Sequence, residues 1–109
     1  MTLEEARKEI GDIDREILEL MVRRLELAKE VGKDKVARNA PVRNLAQEKN
    51  VVDRYRGFAL EHGMNPIYAE HICRILMQES IEIQASLPRS ASEMHHVAII
   101  GSDMRKAGS

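Results

Sequence analysis

The apolar residues Leu3, Ile10, Ile13, Ile17, Leu20, Met21, Ala28 and Val31 recur with helical period along one face, and the pattern runs on to about Val36. At about 1.5 Å per residue such a helix is roughly 50 Å long. A chain of 109 residues cannot wrap that length as a compact monomer, so a second copy is the expected cover. Thr2 is placed to cap the helix. Glu5, three residues on, completes a capping box and puts an acid in the first turn, where the helix dipole favours it. Gly11 and Gly32 each weaken the helix by about 1 kcal/mol relative to alanine, and both suit a close approach by a neighbour.

The rest of the chain divides at its breakers. Pro41, in the stretch ARNAPV (37–42), ends the first pattern. A second helix is predicted from about Val42 to Glu61, with Val51, Val52, Tyr55 and Ala59 as its apolar stripe; Gly63 suits the position just past its end. Asn65-Pro66 reads as the N-cap and first residue of a third helix. That helix is predicted to reach about Ser86, with Ile72, Leu76 and Ile83 as its apolar line and Pro88 beyond it. Residues 1–87 therefore form the helical domain, and 88–109 a linker and tail. In the tail, VAIIG (97–101) reads as a short buried strand entering a glycine turn. Too little follows to build a fold, so disorder is expected there.

Aromatic residues make up only 3% of the chain, so its core must come from aliphatic side chains, methionine and alanine, a palette suited to helices packed on helices. The expected class is all-α, three helices with a long first one, in an intertwined homodimer. A net charge of -1 lacks the basic surplus of a nucleic-acid binder. The single Cys73 excludes an intrachain disulfide framework or a multi-cysteine zinc site, and it falls beside the apolar line of helix 3 as a core thiol. His95-His96 in the linker reads as solvated, and no metal is expected. His62 reads as a favourable charge at a helix C-terminus. The charged N-terminus shows no signal peptide, and no apolar run approaches the roughly 18 residues of a membrane span, so a cytoplasmic protein is expected.

Several polar residues point the wrong way for a plain core. Arg24 and Lys35 are eleven residues apart, which at about 100° per residue brings both within about 20° of the centre of the apolar stripe. Glu48 falls between Val52 and Tyr55 on its helix, with Asn44 one turn earlier. Ser80 and Gln84 are an i, i+4 pair at the edge of helix 3's stripe. A bare buried charge costs several kcal/mol, roughly, so these groups need partners. They can pair among themselves, as Arg24 with Glu48, or line a polar pocket whose cations imply an anionic small molecule. Arg7 lies about 25 Å before Arg24 along the helix axis. It is either a solvated first-turn charge or the contribution of a second chain to that pocket.

These residues sit in four ordered stretches: RKEIGDID (7–14), RRLELAKEVGKDK (23–35), PVRNLAQE (41–48) and QESIEIQ (78–84). In combination they resemble the helical class of chorismate mutases over residues 3–86. The resemblance implies a homodimer with two shared active sites and conversion of chorismate, a dianion, to prephenate without cofactor or metal. It implies that Arg24 and the other subunit's Arg7 hold the substrate's carboxylates. Lys35 and Gln84 would bond the ether oxygen of the breaking C–O bond. Glu48 would accept from the ring hydroxyl, and Asn44 and Ser80 would line the pocket. Two positions depart from the family: Asn44 stands where many members have Asp, and Gln47 where an arginine is common.

Two other functions fit the same pattern. Isochorismate-pyruvate lyases share the fold and a cationic pocket. A non-catalytic dimerisation module would explain the long helix but not the inward Lys35, Glu48 and Gln84. The tail sequence VAIIGS resembles the first strand and turn of a dinucleotide-binding domain, as in a fusion to prephenate dehydrogenase, although no G-x-G-x-x-G spacing follows.

Overall fold

The computed structural model describes residues 1–88, and the strand-like 97–101, His95-His96 and the rest of the tail lie outside them. Three helices follow in order: α1 (Leu3–Ala37), α2 (Leu45–Glu61) and α3 (Pro66–Ala85), with no strand among the described residues. Each start has a side-chain cap. Thr2 and Glu5 form the expected capping box, with bonds of 3.0 and 2.8 Å between each side chain and the other's backbone N–H. Those bonds lower the Glu5 carboxyl below its ordinary pKa. Asn65 caps α3 through Ile67 N at 2.9 Å, and Pro66 occupies the first turn.

α2 begins three residues later than the sequence suggested. Asn44 is not inside the helix but caps it: its backbone is extended and its Oδ1 accepts from Gln47 N at 3.1 Å. The delay follows from how α1 ends. Asn39 takes a left-handed φ of 54°, while Asn39 N donates to Val36 O and Ala40 N to Lys35 O. Those two bonds are a Schellman ending with asparagine in place of glycine. Residues 40–43 are then needed to turn the chain before α2 can start. Gly63, with φ of 73°, ends α2 as its position foretold.

α3 is the central element. It packs on α1 along one side and α2 along another, while α1 and α2 form no packed pair of their own among the described residues. The core is small: Val52, Cys73 and Met77, flanked by Val51 and Tyr55, with Ala59, Ala69 and Ala28 buried around it. The buried line of α3 is Ala69–Cys73–Met77–Gln84, rotated from the expected Ile72–Leu76–Ile83 line; Ile72 is half exposed. Two of these four, Ala69 and Cys73, are small, which suits the close approach of a packed helix. Cys73, at its centre, is 1% exposed, and burial raises its thiol pKa.

Gly32 shows the same closeness at the α1–α3 crossing. A Cβ there would lie 2.6 Å from Leu87 Cδ1 and 3.1 Å from Gln84 Cγ. Only the second half of α1 is packed in this way. In its first half Ile10, Ile13 and Ile17 are 57, 51 and 49% exposed. The radius of gyration, 18.1 Å, exceeds the roughly 13 Å of a compact domain this long. Among the described residues no helix is long and apolar enough to cross a membrane.

Candidate functional site

Where α1, α3 and the start of α2 meet, they form an open cavity of about 130 Å³ walled by Lys35, Asn44, Gln47, Glu48, Ser80 and Gln84, with apolar side chains behind them. Arg24, about three turns before Lys35 on α1, reaches this wall at Ser80. Its Nη1 donates to Ser80 Oγ at 2.6 Å and to Leu76 O at 3.1 Å, and Ser80 Oγ donates to Leu76 O at 3.0 Å. The expected alternative of an Arg24–Glu48 ion pair is not formed. The arginine is held instead by neutral groups of α3, and no carboxylate pairs with it among the described residues.

Lys35 is fixed across the helix crossing that Gly32 permits. Its Nζ donates to Gln84 Oε1 at 2.9 Å and to Val42 O at 2.5 Å. An ammonium group has three donors and no acceptor, so one N–H remains without a protein partner among the described residues. The same bond orients Gln84. Lysine selects the amide oxygen, which leaves the Nε2 amino group as a donor with no protein acceptor among the described residues. Gln84 is the one buried polar side chain among the described residues, 7% exposed. Two fixed donors, one cationic and one neutral, thus stand side by side in the cavity wall.

Glu48 faces the cavity from α2 but is gripped from outside. Arg43 Nη2 and Nε donate to its two carboxylate oxygens at 2.6 and 3.1 Å. The hydrogen bonds to Arg43, helped by its charge and more weakly by Lys35, hold the Glu48 carboxyl below its ordinary pKa, against the opposing effect of burial. The carboxylate stays ionised and can act only as an acceptor. Asn44 borders the cavity, with its Oδ1 committed to the α2 cap.

The structure therefore brings together Arg24, Lys35, Asn44, Glu48, Ser80 and Gln84. Arg7 stays apart, exposed on the uncovered half of α1, about 25 Å along the axis from Arg24. Sequence reasoning missed Arg43 and the Val42 and Leu76 carbonyls. Arg43 precedes the helix, so no wheel orients it, and backbone carbonyls carry no residue signature. A larger groove of about 430 Å³ lies at the far end of α2 and α3. Arg54 is its single charged wall among Tyr55, Phe58, Met64, Ala69 and Ile72, so the donor chemistry belongs to the smaller cavity.

Residues 6–85 match the family described as Chorismate mutase type II. The chain is 34% identical over 82 residues to a chorismate mutase of Methanocaldococcus jannaschii, covering 75% of this chain and 83% of that one. It is 30% identical over 81 residues to the bifunctional chorismate mutase/prephenate dehydratase of Escherichia coli, covering 74% of this chain and 21% of that protein. A T-protein of Haemophilus influenzae is 32% identical over 101 residues, or 91% of this chain and 27% of that protein. The chain thus spans about a fifth to a quarter of the length of these longer relatives.

Proposed function

Since the chain belongs to the chorismate mutase type II family, we propose that it rearranges chorismate to prephenate, toward phenylalanine and tyrosine, within a helical domain of residues 1–87. The observation that carries this reading is the Lys35–Gln84 pair, which leaves one N–H of Lys35 and the amino group of Gln84 without a protein acceptor among the described residues. In the rearrangement the ether C–O bond breaks as a new C–C bond forms within one molecule. Electrons move round a six-membered ring, and no proton or cofactor is required. Negative charge grows on the ether oxygen, where Lys35 Nζ and Gln84 Nε2 donate. Fixed donors in a dry site stabilise such charge without reorganising, and losing one costs about 10²–10³-fold in rate.

The remaining groups set the substrate's pose. Arg24, paired with no carboxylate among the described residues, takes one of the substrate's. Glu48 accepts from the ring hydroxyl, while Ser80 and Asn44 shape the walls. Holding the side chain folded over the ring is a positioning effect, which can supply several kcal/mol, roughly, of the barrier reduction.

The second carboxylate falls to the partner's Arg7 in a homodimer. The bare apolar half of α1 and the apolar groove at Tyr55, Phe58 and Ile72 support that arrangement, because each offers the surface the other needs. A thiol chain with this biosynthetic role fits the cytoplasm.

The test is incubation with chorismate and, separately, with isochorismate, followed by product identification. Prephenate from chorismate is expected. Pyruvate released from isochorismate, without prephenate from chorismate, would make the protein a lyase. No turnover of either would leave a helical dimerisation module.

A further inference from the structure

Residues 42–44 form a short strap, and each residue ties down a different part of the cavity. Val42 O accepts from Lys35, the Arg43 side chain forks onto Glu48, and Asn44 caps α2. The first and third of these bonds fix backbone and helix. The Arg43 fork fixes a charge.

The cavity wall contains a cation and a carboxylate that would neutralise one another if free to meet. Lys35 and Glu48 both line it, and they are near enough for the lysine's charge to help keep Glu48 ionised. A carboxylate turned inward would take the remaining N–H of Lys35. It would also cancel the charge that the ether oxygen needs. In the structure Glu48 makes no ion pair with Lys35; both of its oxygens accept from Arg43 instead. Glu48 borders an outer polar groove as well as the cavity, whereas Arg43 lines that groove and is not among the cavity's walls. The side chain of Glu48 is 19% exposed and that of Arg43 59%. The other groove charges are matched elsewhere, Lys49 with Asp53, and Arg56 and Arg74 with Glu70.

We propose that Arg43 is a positioning residue for the rearrangement: it holds Glu48 in the outer wall and so keeps Lys35 free for the ether oxygen. The role rests on the reading of the cavity as a chorismate site. Arg43 touches no substrate and acts only through Glu48. A fork geometry is needed because it occupies both oxygens at once; a lysine would leave one free to turn inward.

The experiment measures kcat and KM for chorismate in the wild type, Arg43→Met, Arg43→Lys, Glu48→Gln and the Arg43→Met/Glu48→Gln double variant, with helicity and Tm checked for each. Arg43→Met should lower kcat by about tenfold, a coupling of the size found between contacting charged groups. Arg43→Lys should fall between it and the wild type. In the Glu48→Gln background the same Arg43→Met change should alter kcat by less than about twofold, because a neutral amide brings no charge to Lys35. Lys49→Met, which removes an equal charge one residue from Glu48, should leave kcat within about twofold of the wild type. An equal loss of kcat in both backgrounds would make Arg43 a plain anchor of the α2 turn and overturn the proposal. So would a wild-type rate in Arg43→Met, or a loss as large in Lys49→Met. A wild type that turns over no chorismate overturns the reading of the cavity, and the role of Arg43 with it.

Discussion

The two halves of α1 share one periodic pattern but differ in cover. In the second half Ala28 is 7% exposed, Gly32 lies against Gln84, and Arg24 and Lys35 are held by named partners on α3 and the strap. In the first half Ile10, Ile13 and Ile17 are all about half exposed, and Arg7 stands among solvated charges. Periodicity states that a face needs cover; it does not state whose atoms supply it. The second half is covered within the chain, and there its polar residues acquire fixed geometry. The first half has the same demand unmet, so its polar residue has no geometry that one chain can define.

The sharpest test of that contrast is chemical. Lys35→Ala should reduce turnover by about two orders of magnitude or more, because it removes charge stabilisation from the covered half. Helicity should remain near that of the wild type, since α1 keeps its α3 contacts. Near-normal turnover of chorismate would reduce Lys35 to a structural ion. For the uncovered half, Arg7→Ala and Arg24→Ala chains can be mixed after each is shown to be inactive. In the proposed homodimer with shared sites, a mixed pair would have one site with both lesions and one with neither, so about a quarter of all sites should regain activity in an equal mixture. Proven subunit exchange without any recovery would place Arg7 outside the site.

A smaller, pH-dependent effect probes the buried amide. Gln84→Glu replaces a permanent donor with one that donates only when protonated. At neutral pH a carboxyl with an ordinary pKa of about 4.3 is ionised and repels the developing charge. Lys35, 2.9 Å from the present Gln84 Oε1, favours that ionised form, while burial opposes it. Lowering the pH populates the donor, so activity should rise toward acid in the variant and not in the parent. Turnover measured from about pH 4 to pH 8, with folding checked at each point, decides it. Parallel profiles for the two proteins would remove Gln84 from the ether oxygen.

The mildest test sets one glycine against the other. A Cβ at Gly32 meets Leu87 and Gln84, whereas one at Gly11 meets nothing within 4 Å. Gly32→Ala should destabilise by about 1–3 kcal/mol through overpacking, less the gain of about 1 kcal/mol in helix propensity. Gly11→Ala should keep that gain and raise the Tm by a few degrees, on the order of 4–8 °C per kcal/mol. A Gly11→Ala variant that weakens dimerisation would show instead that the partner comes close at that glycine.

Much of this was legible in the sequence, and the failures share a cause. Thr2, Asn65-Pro66 and Gly63 were readable because caps and turns are local chemistry. Arg24 and Lys35 were readable as inward-facing because a helical wheel gives direction. A wheel does not give height or the tilt of a neighbour. The pairing of Arg24 with Ser80, 56 residues away, therefore could not be preferred over Glu48. The same blindness placed Ile72 rather than Cys73 at the centre of α3, since hydrophobicity favoured the larger side chain and close packing the smaller. Arg43 was invisible because the start of α2 was set too early, at Val42. Inside a helix, residues 43 and 48 fall on different faces; across a cap, they meet.

The seclusion of Cys73 gives the molecule an internal clock. It is the chain's only thiol, it lies where α3 meets α2, and burial disfavours the thiolate that reagents attack. An alkylating reagent in solution must therefore wait for the helices to part. With reagent in large excess, the rate of labelling stops depending on its concentration and equals the rate of opening. Mass spectrometry of the labelled chain, followed over time, then times the excursions of the α2–α3 pair without any probe being added to the sequence.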